Sequence, residues 1–318
     1  MTYNQASFIE DAMNGFTMQQ TDFPFVCIVV DDASTDGEPD VIRRYLSSHF
    51  DLEDDTITRN EETDDYILIY ARHKANLNCF FVVLLLKYNH FKKKDKSPYF
   101  KEWTDSVEYI ALCEGDDYWT SADKLQKQVD FLESHPDYTM CFHSARIRLQ
   151  DVDPSMIGAR FENLEEKEYS STEVFSNWFV PTASILYRKD PVSSYSIKHP
   201  EWLTRGDIGL VLKCSHTGKI WGMKEQMSVY RMQPNSVSHN PKYRNPERFL
   251  LPNHFRCILL NFPKVNREPI KWNISSSYYS RMKCQKSIWK KALDFIRFCY
   301  WDPRYASKKI MKQLHIFV

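Results

Sequence analysis

Two short apolar runs that end directly in clusters of carboxylates constrain this chain most strongly. The run from Phe25 to Val30 is followed by Asp31-Asp32 and, shortly afterwards, by Asp36. The run from Tyr109 to Cys113 is followed by Glu114-Gly115-Asp116-Asp117. Apolar runs rich in β-branched and aromatic residues and bounded by turn residues predict strands. Both clusters are therefore expected at the carboxyl ends of strands, where the sheets of α/β proteins bind their ligands.

The remaining periodicity predicts helices between these strands. Strands alternating with helices indicate an α/β fold, a mostly parallel, Rossmann-like sheet flanked by helices. The predicted helices are Phe8–Met18 with Ser7 as N-cap, Asp40–Phe50, a long apolar helix from Asn76, and Asp123–Ser134, and the further strands are Tyr66–Tyr70 and Thr139–Leu149.

Charge divides the chain into two parts. Its 42 basic and 42 acidic side chains cancel, which argues against nucleic acid as a partner. From Pro241 onward, however, 17 basic residues face 4 acidic ones. We expect a domain over residues 1–240, with halves 1–135 and 136–240, and a basic, aromatic, helical region over 241–318. That region either packs on the domain or makes peripheral contact with an anionic membrane surface or an anionic acceptor.

The eight cysteines show neither a CxxC pair nor zinc-ligand spacing, so we expect reduced thiols and no zinc site. No signal peptide is visible, and the apolar run Cys79–Leu86 is too short to span a bilayer. These features predict a cytoplasmic protein.

Each acidic cluster has two interpretations. The first could be a solvated turn with a helix cap, or its carboxylates could accept hydrogen bonds from a ribose or base. The second could be a surface turn, but like charges held this close repel each other unless a cation lies among them. A hard divalent metal with phosphate oxygens in its shell would satisfy that arrangement.

The motifs taken together resemble the family 2 glycosyltransferases of GT-A fold, of the bacterial cell-surface polysaccharide type. The resemblance is densest over residues 2–135 and weaker to about residue 239. It implies metal-dependent, inverting transfer of a sugar, hexosyltransferase-like, from a nucleoside diphosphate sugar such as a UDP-sugar to a carbohydrate or lipid-linked acceptor. The motifs that carry it are Thr2-Tyr3-Asn4, the DDxSxDG run Asp31–Gly37, Arg72 with Asn76, and Glu114-Gly115-Asp116-Asp117.

The resemblance also implies roles for individual residues. Nucleotide binding is expected from Thr2, Tyr3, Asn4, Asp31, Asp32, Arg72, Glu114 and Arg231, the last within a Tyr230-Arg231 motif near the diphosphate. Metal binding, to Mn²⁺ or Mg²⁺, is expected from Asp116 assisted by Asp117. The general base is expected at Asp207, and the acceptor side at Thr182 and Trp119.

Three departures from the family pattern keep other functions open. Glu114 replaces the usual Asp, Gly206 replaces the usual Glu before Asp207, and the strand that normally precedes the Thr2-Tyr3-Asn4 turn is missing. A non-catalytic or truncated member that only binds nucleotide or carbohydrate is the main alternative. A sugar nucleotidyltransferase is a further one, although the Gly-rich basic loop that grips a triphosphate is not found.

Overall fold

The chain divides into two compact units. The computed structural model describes residues 1–91, 95–151, 161–233 and 248–313. The first unit contains residues 1–168, 179–190 and 220–232, and the second contains 169–178, 191–219 and the described residues from 233 onward. The expected boundary at residues 240 and 241 lies outside the described residues. Segment 191–219, expected in the first domain, belongs to the same unit as the C-terminal helices.

Over the first 150 residues most of the predicted elements are present, but the one predicted from Asn76 is of a different type, and the strands Phe50–Asp51 and Arg59–Glu62 were not predicted. The strands are β1 (Phe25–Asp31), β2 (Phe50–Asp51), β3 (Arg59–Glu62), β4 (Tyr66–His73), β5 (Cys79–Leu86), β6 (Tyr109–Ala111), β7 (Tyr118–Trp119), β8 (Tyr138–Leu149), β9 (Lys167–Tyr169), β10 (Leu186–Arg188) and β11 (Lys219–Met232). The α-helices are α1 (Ile9–Thr17), α2 (Glu38–His49), α3 (Lys101–Asp105), α4 (Lys124–Ser134), α5 (Ser171–Ser176), α6 (Lys189–Ser193), α7 (Gly206–Thr217), α8 (Leu251–Asn261), α9 (Arg267–Cys284), α10 (Ile288–Trp301) and α11 (Pro303–Gln313). Phe8, and not Ser7, is the N-cap of α1, and no side chain caps that helix.

The first sheet has the strand order β1-β5-β4-β2, with β3 paired to β4. Helices α1 and α2 cover one face, where Met13, Ile42 and Phe81 belong to one buried cluster. On the other face, Leu84 packs with Trp103 in a second cluster. The sheet thus has a core on both sides, and the carboxyl end of β1 delivers Asp31 and Asp32 to one of its ends.

The prediction of a long helix from Asn76 is wrong, because Cys79–Leu86 is the strand β5. Its side chains are buried except that of Phe80, and it pairs with β1 on one side and β4 on the other. A strand covered on both faces needs no polar alternation. A short, continuous apolar run therefore shows no repeat of polar and apolar residues that would distinguish a buried strand from a buried helix.

The prediction of a mostly parallel sheet is also wrong, since both sheets are mixed or antiparallel. Among the described pairings, β1–β5 is parallel, whereas β4–β5 is antiparallel. The second sheet, of order β6-β10-β8-β11-β7 with β9 paired to β11, has antiparallel pairings of β10 with β6 and β8 and of β11 with β7. The short connection between His73 and Cys79 permits the antiparallel pairing of β4 with β5, because antiparallel neighbours need no crossover helix.

The second unit is built largely from helices. Its core contains Leu212 of α7, Ile258 of α8, Ile274 of α9 and Phe298 of α10. The Asn266 side chain caps α9 by accepting a hydrogen bond from the Glu268 N–H at 3.1 Å, as expected for an N-cap residue. All eight cysteines are free. None of the helices in the described part of the chain is long and apolar enough to cross a membrane.

Candidate active site

The loop Thr2–Gln5 runs alongside the carboxyl end of β1. The Thr2 N–H donates to the Val30 carbonyl at 2.9 Å, and the Asp32 N–H donates to the Thr2 carbonyl at 3.0 Å, which makes a parallel bridge between Thr2 and Asp31. Tyr3 is 45% exposed. The loop therefore fixes the first acidic cluster and presents an aromatic ring to solvent beside it.

Glu38, at the start of α2, is buried beneath this loop and holds it by hydrogen bonds. Its carboxylate accepts hydrogen bonds from the Gln5 N–H at 2.8 Å, from Ser34 Oγ at 2.8 Å and from the Thr2 hydroxyl. Burial raises its pKa. The Asn4 side chain is also engaged, accepting from the Thr35 N–H at 2.8 Å. Sequence reasoning missed Glu38 because an acidic residue in the first turn of a helix needs no special role.

Asp32 is buried and held by two groups from the segment that follows β5. The His90 N–H donates to its Oδ1 at 2.8 Å, and Lys96 Nζ donates to its Oδ2 at 2.7 Å. Lys96 therefore brings a basic side chain to this site, and in the sequence it is only one lysine of the basic stretch at residues 92–96. The neighbouring Asp31 has a buried Oδ1 with no partner, and burial, as the largest cause, raises its pKa.

The acidic turn Glu114–Asp117 lies between β6 and β7 and packs directly on the Thr2–Gln5 loop. A Cβ placed on Gly115 would lie 2.4 Å from Gln5 Oε1 and 2.5 Å from Thr2 Oγ1. The absence of a side chain at Gly115 therefore lets the Thr2–Gln5 loop approach the turn closely. Through this contact the loop joins the two acidic clusters, which stand at residues 31–36 and 114–117 of the chain.

Arg231, near the end of β11, anchors the acidic turn. Its N–H donates to Asp117 Oδ1 at 2.8 Å, and its guanidinium donates to the Asp116 carbonyl at 2.9 Å. The same guanidinium forms an ion pair with Asp11 of α1 and lies over the rings of Phe8 and Tyr118. Arg231 is buried, so it positions the main chain of the turn. Asp11 and Phe8 carried no sequence signal for this role.

The carboxylates of the acidic turn differ in what they can contact. Asp117 is buried, and its Oδ2 has no partner. Burial, followed by the charges of Asp116 and Glu114, raises the pKa of Asp117 well above its usual range. Glu114 is exposed and Asp116 half-buried. The turn therefore has two carboxylates near solvent and one buried oxygen that lacks a hydrogen-bond donor.

Trp119 and Thr182, both expected on the acceptor side, lie close together in the first unit. The Trp119 indole N–H donates to the Ala183 carbonyl at 2.9 Å, and Thr182 begins the single 3₁₀ turn that contains Ala183. Trp119 is buried against Phe16. Its ring is thus part of the core, and it can influence an acceptor only by holding the turn that carries Thr182.

Arg72 is not brought to the acidic clusters. It lies opposite Phe80 in β5, and Phe80 lies opposite Val26 at the start of β1, whereas Asp32 follows the end of β1. At about 3.3 Å per residue, roughly 20 Å of strand separates the two levels. Because β4 runs antiparallel to β5 and β1, the carboxyl end of β4, where Arg72 lies, is at the opposite end of the sheet from Asp31 and Asp32.

Asp207 lies in the second unit, in the first turn of α7. Its Oδ1 accepts a hydrogen bond from the Ile208 N–H at 2.8 Å. A carboxylate in the first turn of a helix interacts favourably with the helix dipole. Gly206 has open space at its Cβ position, so the departure from the family pattern is not imposed by packing.

No group of three or more His, Cys, Asp or Glu side chains among the described residues is arranged to hold a metal ion. Asp116 and Asp117 are the residues of this turn whose carboxylate oxygens could hold a metal ion, since oxygen ligands from a substrate can complete such a shell. The donor set consists of carboxylate oxygens, which suit Mg²⁺ or Mn²⁺.

The chain has relatives among known proteins. No protein-family model matches the sequence. Over 241 residues the chain is 31% identical to uncharacterised proteins of Mycobacterium tuberculosis and Mycobacterium bovis, a match that covers 76% of this chain and 59% of each relative. The chain thus spans less than two thirds of the length of these relatives.

A more distant match carries a functional name. Over 241 residues the chain is 22% identical to a Bacillus subtilis protein named "Putative teichuronic acid biosynthesis glycosyltransferase TuaG". The match covers 75% of this chain and 79% of that protein. That name describes the Bacillus subtilis protein, and glycosyl transfer by this chain is a proposal.

Proposed function

We propose that this chain is an inverting, metal-dependent glycosyltransferase of GT-A type that resembles family 2. It would move a sugar from a nucleoside diphosphate sugar, with UDP as the expected nucleotide, to a carbohydrate or lipid-linked acceptor. The observation that carries the proposal is the packing of the Thr2–Gln5 loop on both acidic clusters. That packing places strand-end carboxylates from two sheets around one short segment, as a nucleotide-sugar site requires.

The donor nucleotide would lie along this segment. Tyr3 offers an exposed ring on which a base can stack, as aromatic rings do for bases in general. Asp31 and Asp32 offer acceptor oxygens for the ribose or base. Lys96, which is ion-paired with Asp32, would be the basic residue beside the nucleotide, the role that the family resemblance implied for Arg72. Its positive charge favours an anionic diphosphate.

Asp116, assisted by Asp117, would hold the divalent cation. A bound metal would neutralise the charge that develops on the departing diphosphate. The protein's own contribution is to fix the carboxylates: Arg231 clamps the main chain at Asp116 and the side chain at Asp117. Fixed donors require little rearrangement during the reaction, which is how preorganised sites accelerate it.

Asp207 would act as the base that removes a proton from the acceptor hydroxyl. A positioned base typically contributes ~10²–10⁴-fold in rate. The hydroxyl would then bond to the anomeric carbon as the bond to the diphosphate oxygen breaks, and a single displacement of this kind inverts the configuration at the anomeric carbon.

The donor site can be tested by thermal unfolding with UDP, GDP, dTDP and CDP, each with and without Mn²⁺. A ligand that binds only the folded state stabilises it by ~2.7 kcal/mol at a hundredfold excess over its dissociation constant. We expect stabilisation by UDP that requires the metal. If none of the nucleotides shifts a cooperative transition, the proposed donor site is wrong.

Matched variants separate the metal site from general effects. Asp116→Ala should abolish the Mn²⁺-dependent shift with UDP. Glu108→Ala removes an exposed carboxylate just before β6, at the other end of that strand, and should leave the shift intact. Unchanged binding of UDP and Mn²⁺ by the Asp116 variant would refute the metal assignment.

Turnover is tested separately from binding. Asp207→Asn should retain metal-dependent binding of UDP but lower hydrolysis or transfer from the cognate UDP-sugar by at least ~10²-fold. Full activity in this variant would place the base elsewhere. A wild-type chain that binds nucleotide but never releases UDP from any UDP-sugar would instead support a non-catalytic binding protein, and pyrophosphate release from UTP and a sugar phosphate would indicate a nucleotidyltransferase.

A further inference from the structure

Helix α10 has one face that holds it in the second unit. Asp294 and Phe298 are buried on that face. Asp294 accepts hydrogen bonds from Arg281 of α9 at 2.9 and 2.5 Å, and the Phe298 ring lies 5.1 Å from that of Tyr279. The Phe298 carbonyl also accepts a hydrogen bond from Ser275 at 2.8 Å. These contacts fix the orientation of α10 on α9.

The opposite face of α10 exposes large apolar side chains. Trp289 is 82% exposed, Leu293 46%, Ile296 63% and Tyr300 76%. Their spacing of four, three and four residues places them in one stripe along the helix, which is about 16 Å long at 1.5 Å per residue. The fold does not need this stripe, since the contacts that hold α10 are all on the other side. A contiguous exposed apolar patch of this kind indicates an interaction surface.

The charge around the stripe specifies the chemistry of the partner. Residues 286–312 contain eight basic side chains and two acidic ones. Asp294 is buried and paired with Arg281, and Asp302 accepts a hydrogen bond from the Tyr305 N–H. Arg297 lies 3.8 Å from Asp294 and over the ring of Tyr278, toward the buried face of α10. The other basic residues are Lys286, Lys290, Lys291, Arg304, Lys308, Lys309 and Lys312. The partner must therefore offer both an apolar medium and negative charge.

We propose that α10, with α11 beside it, lies on the surface of an anionic lipid bilayer. Trp289 and Tyr300 near the two ends of the stripe match the preference of these rings for the boundary between headgroups and acyl chains. Leu293 and Ile296 between them enter the acyl region, and the flanking lysines reach the phosphates. The inference does not depend on the proposed sugar transfer, although a surface-bound enzyme would have direct access to a lipid-linked acceptor.

Vesicle flotation of the full chain tests the proposal. We expect the protein to float with vesicles of phosphatidylcholine and phosphatidylglycerol and to bind pure phosphatidylcholine at least roughly tenfold more weakly, since each basic residue near the surface adds to binding. Binding should also weaken in high salt. Equal binding to both vesicles, or none to the anionic ones, would overturn the proposal.

The double variant Trp289→Glu/Ile296→Glu should lose binding to anionic vesicles by at least about tenfold. Leu260→Glu, which changes an exposed apolar residue of α8 in the same unit, is the matched control and should bind as the wild type does. Thermal unfolding should show that both variants fold, because all three positions are exposed. If the double variant floats like the control, the stripe is not the binding surface. A wild-type dimer that the double variant dissociates, without vesicle binding, would assign the stripe to a second copy of the chain.

Discussion

Replacing Gly115 with alanine tests whether the contact between the acidic turn and the Thr2–Gln5 loop holds the site together. The new Cβ would lie 2.4 Å from Gln5 Oε1, 2.5 Å from Thr2 Oγ1 and 2.7 Å from Thr2 Cβ. Ordinary contacts between carbon atoms are about 3.5–4.0 Å, so one side must move by about 1 Å. The Gln5 side chain can turn away, but Thr2 is buried and held on both sides of its backbone to Val30 and Asp32.

The strain therefore passes to the loop or to the turn. Overpacking of this size typically costs ~1–3 kcal/mol, and we expect Gly115→Ala to lower the free energy of unfolding by that amount. It should also weaken Mn²⁺-dependent binding of UDP, since the turn can relieve the clash only by moving Asp116 away from the loop. Chemical denaturation measures the first effect, and titration calorimetry with UDP and Mn²⁺ measures the second.

Gly206→Ala is the control, because a Cβ on Gly206 meets nothing within 4 Å. Gly206 begins α7, where alanine should be neutral or slightly stabilising. If Gly115→Ala proves as stable as Gly206→Ala and binds UDP equally well, the loop and the turn are not in contact in solution. The reasoning that joins the two acidic clusters would then fail.

Two further predictions concern buried cations of the first unit. Burial lowers the pKa of Lys124 to about 7, whereas in the unfolded chain this amine stays protonated to about pH 10. Above about pH 7 the unfolded state therefore binds more protons than the folded state. For this reason Lys124 should raise the free energy of unfolding between about pH 7 and 8.5, by up to ~1.4 kcal/mol per pH unit. Denaturant titrations across that range should show this contribution in the wild type and not in Lys124→Met, and identical slopes would contradict it. In Arg231→Lys, the new side chain cannot donate at once to the Asp116 carbonyl and to Asp11. The substitution should therefore lower the free energy of unfolding by ~1–3 kcal/mol and weaken UDP binding. The control Arg44→Lys, at an exposed position, should do neither, and equal behaviour of the two variants would show that the Arg231 contacts contribute nothing.

Local patterns predicted the elements around the site better than their arrangement. The strands that begin at Phe25 and Tyr109, and the helix that ends at Ser134, were recognisable because β-branched runs, turn residues and a following His-Pro give local signals. The strand Cys79–Leu86 was not, because a run buried on both faces has no period. Once it is known to be a strand, the five residues that separate it from His73 are too few for a crossover, and an antiparallel pairing with β4 follows. The role expected for Arg72 came from the family resemblance, and the antiparallel pairing of β4 is what holds that residue away from the acidic clusters.

The partners of the predicted site residues could not be read from the sequence for a different reason. Lys96 reaches Asp32 across 64 residues, and Arg231 reaches Asp11 across 220. Such contacts depend on how the sheets and helices pack, and nothing in the local pattern distinguishes Lys96 from the other lysines of its basic stretch. A single sequence therefore identifies the carboxylates as candidates but does not reveal which cations restrain them.

The carboxylates of the two short acidic segments have two kinds of surroundings. Some of them build the site: Glu38 ties the Thr2–Gln5 loop to α2, and one oxygen of Asp117 is bound by the main chain at Arg231. Others retain buried acceptor oxygens without donors, namely Asp31 Oδ1 and Asp117 Oδ2. An unpartnered buried acceptor is costly, and it persists in a functional site when a ligand supplies the missing group. A ribose hydroxyl at Asp31 and a cation at Asp117 would do so, which is why nucleotide binding and metal binding are expected to stabilise this fold together.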